Sequence, residues 1–132
     1  MTQNEKDLLL KDLCARLPYG VKSEIKYFDG IWELLAIYTN GTTYATRDVG
    51  YPIETFFEDC KPYLFPLSSM TEWQERELEE LDPEFYTIIN DNGAIECVMN
   101  NKTFDWFHKH HFDWRGLIPM GLANDATNLN IY

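Results

Sequence analysis

At 132 residues and 15.6 kDa the chain has room for one domain. With 45% apolar and 15% aromatic residues it is too hydrophobic to stay unfolded, and no apolar run approaches a membrane span. Eleven basic against twenty-two acidic residues leave a net charge of −11, which argues against direct binding to nucleic acid.

The first element is signalled by Thr2-Gln3-Asn4-Glu5, a capping box in which the Thr2 hydroxyl accepts from the amide of Glu5. Leu9, Leu10, Leu13, Cys14 and Leu17 then fall within about 140° of one helix face. Pro18 and Gly20 should end this helix. Charges run through the apolar stretch of the N-terminus, so it reads as neither a signal peptide nor an anchor, and the expected location is cytoplasmic.

Three strands of an antiparallel meander should follow. Val21 to Tyr27 alternates apolar and charged residues, as a half-solvated strand does. Asp29-Gly30 reads as its turn, and Ile31 to Tyr38 carries apolar residues on both faces, as a central strand would. Asn40-Gly41 is a second turn signal before Thr42 to Arg47. Residues 48–70, punctuated by Gly50, Pro52, Pro62 and Pro66, suggest an extended aromatic connector.

Thr71, with Gln74 three residues on, caps a second helix that runs to about Leu81 and should be anchored by Trp73. Phe85 to Asn90 and Ala94 to Met99 flank Asp91-Asn92-Gly93, which suggests a hairpin, although Asp82-Pro83 could equally start a helix. A third helix is expected from Thr103 to His111. Beyond it the tail should pack irregularly and, from Asn124, loosely. The expected architecture is therefore α+β: one domain over residues 1–132, with an antiparallel meander and hairpins packed against about three helices.

The charge is concentrated. Residues 54–96 hold twelve acids against two bases, Lys61 and Arg76, whereas the flanking segments are close to neutral. Glu72, Glu75 and Glu79 share the polar side of the second helix. One reading makes this a solvated face that keeps the protein soluble; the other makes it a docking surface for a basic protein partner, in its sharpest form a nucleic-acid mimic.

A competing reading places chemistry at His108, His110 and His111, with Asp105, Asp113 and Cys97, as a small metal- or thiol-dependent enzyme. Helical spacing weighs against it. Phe104, Phe107, His111 and Trp114 share one face, with Asp105, Lys109 and Asp113 roughly opposite, so His111 should be a buried, hydrogen-bonded core histidine beside Phe107 and Trp114. No phosphate loop, HExxH or nucleophile elbow occurs, so no cofactor is called for and a non-enzymatic role is favoured.

Three segments carry a resemblance: Glu5 to Gly20, Lys61 to Thr71 (KPYLFPLSSMT) and Asp105 to Ile118 (DWFHKHHFDWRGLI). They resemble uncharacterised small proteins of gut Bacteroides-type bacteria and their phages. The likeness covers about a third of the chain and supplies no site residues. What it implies is a phage- or mobile-element-linked context, in which small proteins often act by occupying a host protein's surface.

Cys14, Cys60 and Cys97 are odd in number and widely spaced, with no CxxC. Such usage fits reduced thiols rather than a disulfide framework. Thiol titration of the denatured, unreduced protein should therefore count three free groups; a count of one would refute this.

Overall fold

The computed structural model describes residues 1–82, 86–89, 95–98 and 101–132, with 86–89 and 95–98 described as backbone only. Its elements, in chain order, are α1 (Gln3–Arg16), β1 (Lys22–Ile25), β2 (Phe28–Ile37), β3 (Thr42–Thr46), β4 (Ile53–Phe56), β5 (Cys60–Leu64), α2 (Glu72–Leu81), β6 (Tyr86–Ile89), β7 (Ile95–Val98), α3 (Asn101–Lys109) and β8 (Asn124–Asp125). Six strands form one sheet in the order β4-β3-β2-β1-β5-β8, antiparallel except for the β5–β8 pair. The protein is a single-domain α+β fold with three α-helices among the described residues, as its sequence leads one to expect.

The Thr2 capping box forms, with Thr2 Oγ1 accepting from the Glu5 amide at 3.2 Å. The face that α1 buries is different from the one expected. Leu9 and Leu13 are inside, but their companions are Asp12 and Arg16, while Cys14 is exposed. The buried stripe is rotated by about 80° toward the two charged residues. The reason is ionic: Arg16 Nε donates to Asp12 Oδ2 at 2.8 Å, and Arg16 Nη2 donates to the Phe112 carbonyl at 2.6 Å. Arg115 Nε closes on the other Asp12 oxygen at 3.1 Å. The side chains of Asp12 and Arg16 are both 0% exposed.

The meander is present with its first turn moved. Ile25 pairs with Phe28, so the reversal falls at Lys26-Tyr27, where Tyr27 takes φ 74°. Asp29-Gly30 lies inside β2 instead. There the strand takes four residue steps, Phe28 to Trp32, against two on β1, and Gly30 at φ 97° absorbs the excess as a bulge. The bulge turns the Asp29 carbonyl to accept from both Trp32 Nε1 and Arg47 Nη1. β2 is interior to the sheet, but only its Trp32 and Leu34 side is buried. Ile31 and Leu35 are exposed, so the expectation of two covered faces fails.

The proposed connector contains two strands. Proline is compatible with β5 because Pro62 sits opposite Ser23 where no amide is needed from it. β6 and β7 pair antiparallel, Tyr86 with Val98 and Ile89 with Ile95, which favours the hairpin over a helix at that point; the Asp91-Asn92-Gly93 turn lies outside the described residues. α3 stops at Lys109, because His111 takes a left-handed φ of 61° that a helix cannot continue. The tail is ordered by specific contacts: β8 pairs with β5, and Ala126 is fully buried with its amide on the Leu64 carbonyl.

Removing one partner of a buried ion pair strands the other's charge. Asp12→Ala should therefore destabilise the fold by about 3–5 kcal/mol in urea denaturation, while Asp12→Leu combined with Arg16→Met should recover most of that loss. A cost below about 1 kcal/mol for the single change would contradict this account.

Candidate functional site

Thr71 starts α2 as expected, accepting from the Gln74 amide at 3.3 Å while Gln74 Oε1 accepts from the Thr71 amide at 2.9 Å. Leu78 is its buried anchor, with Leu81 packed nearby. Trp73 is not an anchor: it is 78% exposed.

The acidic run divides into two kinds of residue. Glu77 accepts from Trp106 Nε1 at 2.9 Å and lies 3.9 Å from His110 Nε2; Asp82 is buried and accepts from Thr103 Oγ1 at 3.0 Å. These two hold α2 against α3. Glu72, Glu75, Glu79 and Glu80 are exposed, and among the described residues none of them enters an ion pair, Arg76 included. Glu72 and Glu75 sit in the first turn, where the helix dipole favours them. Glu79 and Glu80 sit toward the other end, where it does not, and no basic residue occupies the last turn. At 100° per residue, Glu75, Glu79, Glu72, Arg76, Glu80 and Trp73 follow one another around the open side of the helix. The face is a band of carboxylates bordered by one exposed indole.

The histidine segment is brought together differently from its helical projection. His108 Nε2 accepts from Trp114 Nε1 at 3.1 Å. The His111 ring stacks on Tyr132, centroids 3.5 Å apart and planes 14° apart. His110 faces Glu77. His111 is buried, as expected, and its ring partner is Tyr132, while Phe107 pairs with Phe112 and Trp114 with Phe104. Among the described residues its Nδ1 has no hydrogen-bond partner, so the expected hydrogen bond is missing at that atom. Asp113 is not on an exposed face either: it is buried, and its two oxygens accept the Leu117 and Ile118 amides at 2.8 Å each. Asp105 is exposed.

The electrostatics follow from burial. Desolvation first, then the Arg16 guanidinium, pushes His108 down to about 4; desolvation, Arg16, His110 and Lys22 do the same for His111. Burial raises the Asp113 carboxyl against its two amide donors. Burial and Asp59 push the Cys60 thiol up to about 12, the reverse of what a nucleophilic thiol requires. Among the described residues no three His, Cys, Asp or Glu side chains gather as a metal site would. The Cys97 side chain, part of the enzymatic reading, lies outside the described residues.

Sequence reading missed the Asp12–Arg16–Arg115 cluster. Its one visible signal was two opposite charges four residues apart, within the arc of Leu9 and Leu13. Comparison with protein-family models, curated proteins and solved structures found no match. Among the described residues no helix is long and apolar enough to cross a membrane.

Two buried histidines that charge near 6.5 when unfolded, but only near 4 when folded, make folding release protons. Their contribution is complete above about 6.5 and is lost progressively as pH falls toward about 4. Asp113 shifts in the opposite sense for stability, so the two effects need separating. The thermal midpoint should fall between pH 7 and 4.5, and fall markedly less in a His108→Gln/His111→Gln variant. Equal slopes would contradict the assignment.

Proposed function

We propose that this protein is a non-enzymatic interaction module whose acidic surface, centred on Glu72, Glu75 and Glu79, binds a basic protein partner. The observation that carries the reading is the division within the acidic run. Glu77 and Asp82 are engaged in packing, whereas the remaining carboxylates of α2 stand in solvent beside an indole that the fold leaves uncovered. Exposed carboxylates at the end of α2 gain nothing from the helix dipole. An exposed tryptophan among charges has the composition of a binding anchor, since Trp is enriched where interfaces concentrate their energy.

The partner would carry a Lys- or Arg-rich patch with an apolar recess for Trp73. A partner that normally grips a phosphate backbone satisfies the first condition, which is the sense in which this surface would act as a nucleic-acid mimic and inhibitor. Action in the cytoplasm, in the phage- or mobile-element-linked setting that the resemblance implies, belongs to the same proposal. An activity based on His108, His110, His111 and Asp113 receives less support, because those side chains face four separate sets of partners.

A pull-down from the native host identifies the partner, and calorimetry with both purified proteins then tests the surface. Reversing Glu72, Glu75 and Glu79 to Lys should weaken binding by tenfold or more, and binding by the unaltered protein should fall as salt rises (screening length about 8 Å at physiological ionic strength). The thermal midpoint should barely move, since exposed charges contribute only about 0–1 kcal/mol each. Trp73→Ala should weaken binding in the same way. Unchanged affinity with increased aggregation, or a complex in which α2 faces open solvent, would leave the acidic face a solubilising role only.

A further inference from the structure

Residues 126–132 are fastened at both ends, with local turn bonds between them, Thr127 to Asp125 Oδ1 and the Leu129 amide to the Ala126 carbonyl. At one end Ala126 is fully buried and bonded to Leu64. At the other, the Tyr132 hydroxyl enters the seam between β1 and β5, accepting from the Lys22 amide at 2.8 Å and donating to the Tyr63 carbonyl at 2.8 Å. Tyr132 as a whole is 40% exposed, yet its phenol is raised by burial, as suits a hydroxyl bonded inside that seam. Its ring lies on His111 and beside Phe65. Between these fastenings Thr127, Asn128, Leu129 and Asn130 are all exposed, and Asn128 and Asn130 take left-handed φ of 68° and 53°. Lys22 adds one further tie, its Nζ to the Ile131 carbonyl at 2.6 Å.

We propose that residues 127–132 form a strap that opens and closes as a unit, hinged after Ala126 and caught by Tyr132, while the sheet beneath it stays folded. A segment without buried side chains between two fastenings has little to hold it once the catch releases, so its opening free energy belongs at the low end of the range within a native protein. The strap also walls two cavities. Asn130 and Ile131 contribute to one of about 720 Å³ that includes Lys22, Glu33 and Arg47; Thr127 and Asn128 contribute to one of about 220 Å³ that includes Phe65 and Phe112. Opening removes both walls, frees the Lys22 ammonium from Ile131, and bares the imidazole of His111. The charged groups that act on that imidazole, Arg16, His110 and Lys22, are cationic or become so on protonation, so an uncovered His111 gains chiefly by hydration.

Native-state hydrogen exchange on the unaltered protein reads the strap directly, because the Lys22 amide is held by the Tyr132 hydroxyl and the Leu34 amide by the Val21 carbonyl within the sheet. Corrected for intrinsic rates, Lys22 should exchange about a hundredfold or more faster than Leu34. A second reading uses Tyr132→Ala: the His111 titration midpoint, followed by NMR, should rise from about 4 toward its ordinary value near 6.5, with Leu34 protection unchanged. Lys22 and Leu34 exchanging through the same opening, or a His111 midpoint that stays at about 4 in the variant, would overturn the strap.

Discussion

Arg16 carries a charge that never reaches water, and much of the molecule is arranged to make that tolerable. Asp12, one turn earlier, takes its Nε; the Phe112 carbonyl takes Nη2; Arg115 shares the other Asp12 oxygen and lays its guanidinium 4.2 Å from the ring centre of Trp114. A buried pair of this kind rarely adds stability over apolar residues of the same size, but breaking it is costly. Its effect is therefore to constrain geometry. It ties the end of α1 to residues 112–115, nearly a hundred positions along the chain, and so fixes where the segment after α3 must run.

That segment then organises its surroundings. Asp113 caps the turn that leads to Leu117, which packs with Leu64, Leu122 and Ala123. Phe65 and Phe112 form a parallel bridge, and Phe112 stacks on Trp106 at an interplanar angle of 10°. Trp106 in turn holds Glu77 of α2. The path from a buried arginine to an acidic surface helix thus runs through the Phe112 carbonyl, the Phe112 and Trp106 rings and Glu77, and it holds α2 on the side that faces α3.

Elements governed by local chemistry were legible in the sequence: both capping boxes, the Pro18–Gly20 stop, the meander and the β6–β7 pairing. What escaped was decided by distant partners. Nothing near Asp12 and Arg16 announces the Phe112 carbonyl or Arg115, so the helix face was placed too far toward Cys14. Asp29-Gly30 reads as a turn, but the reversal has already occurred at Tyr27, and the structure uses the freedom of Gly30 for a bulge instead. Helical spacing put His111 in the core but gave no sign of its stacking partner, since the helix ends two residues earlier and Tyr132 comes from a distant part of the sequence. On α2 the exposure of Glu72, Glu75 and Glu79 was legible, but composition could not separate them from Glu77 and Asp82, and Trp73 was assigned inward when Leu78 is the buried anchor.

The placement of the four tryptophans also gives the molecule a built-in optical readout. Trp32 and Trp106 are buried and Trp114 is half-buried, so their emission belongs to the folded interior. Trp73 alone stands largely in water, and it does so on the acidic helix. The red edge of the fluorescence spectrum therefore reports mainly on that one side chain. An event that covers α2 would shift and shield this component without disturbing the interior ones, so the surface can be watched without a label.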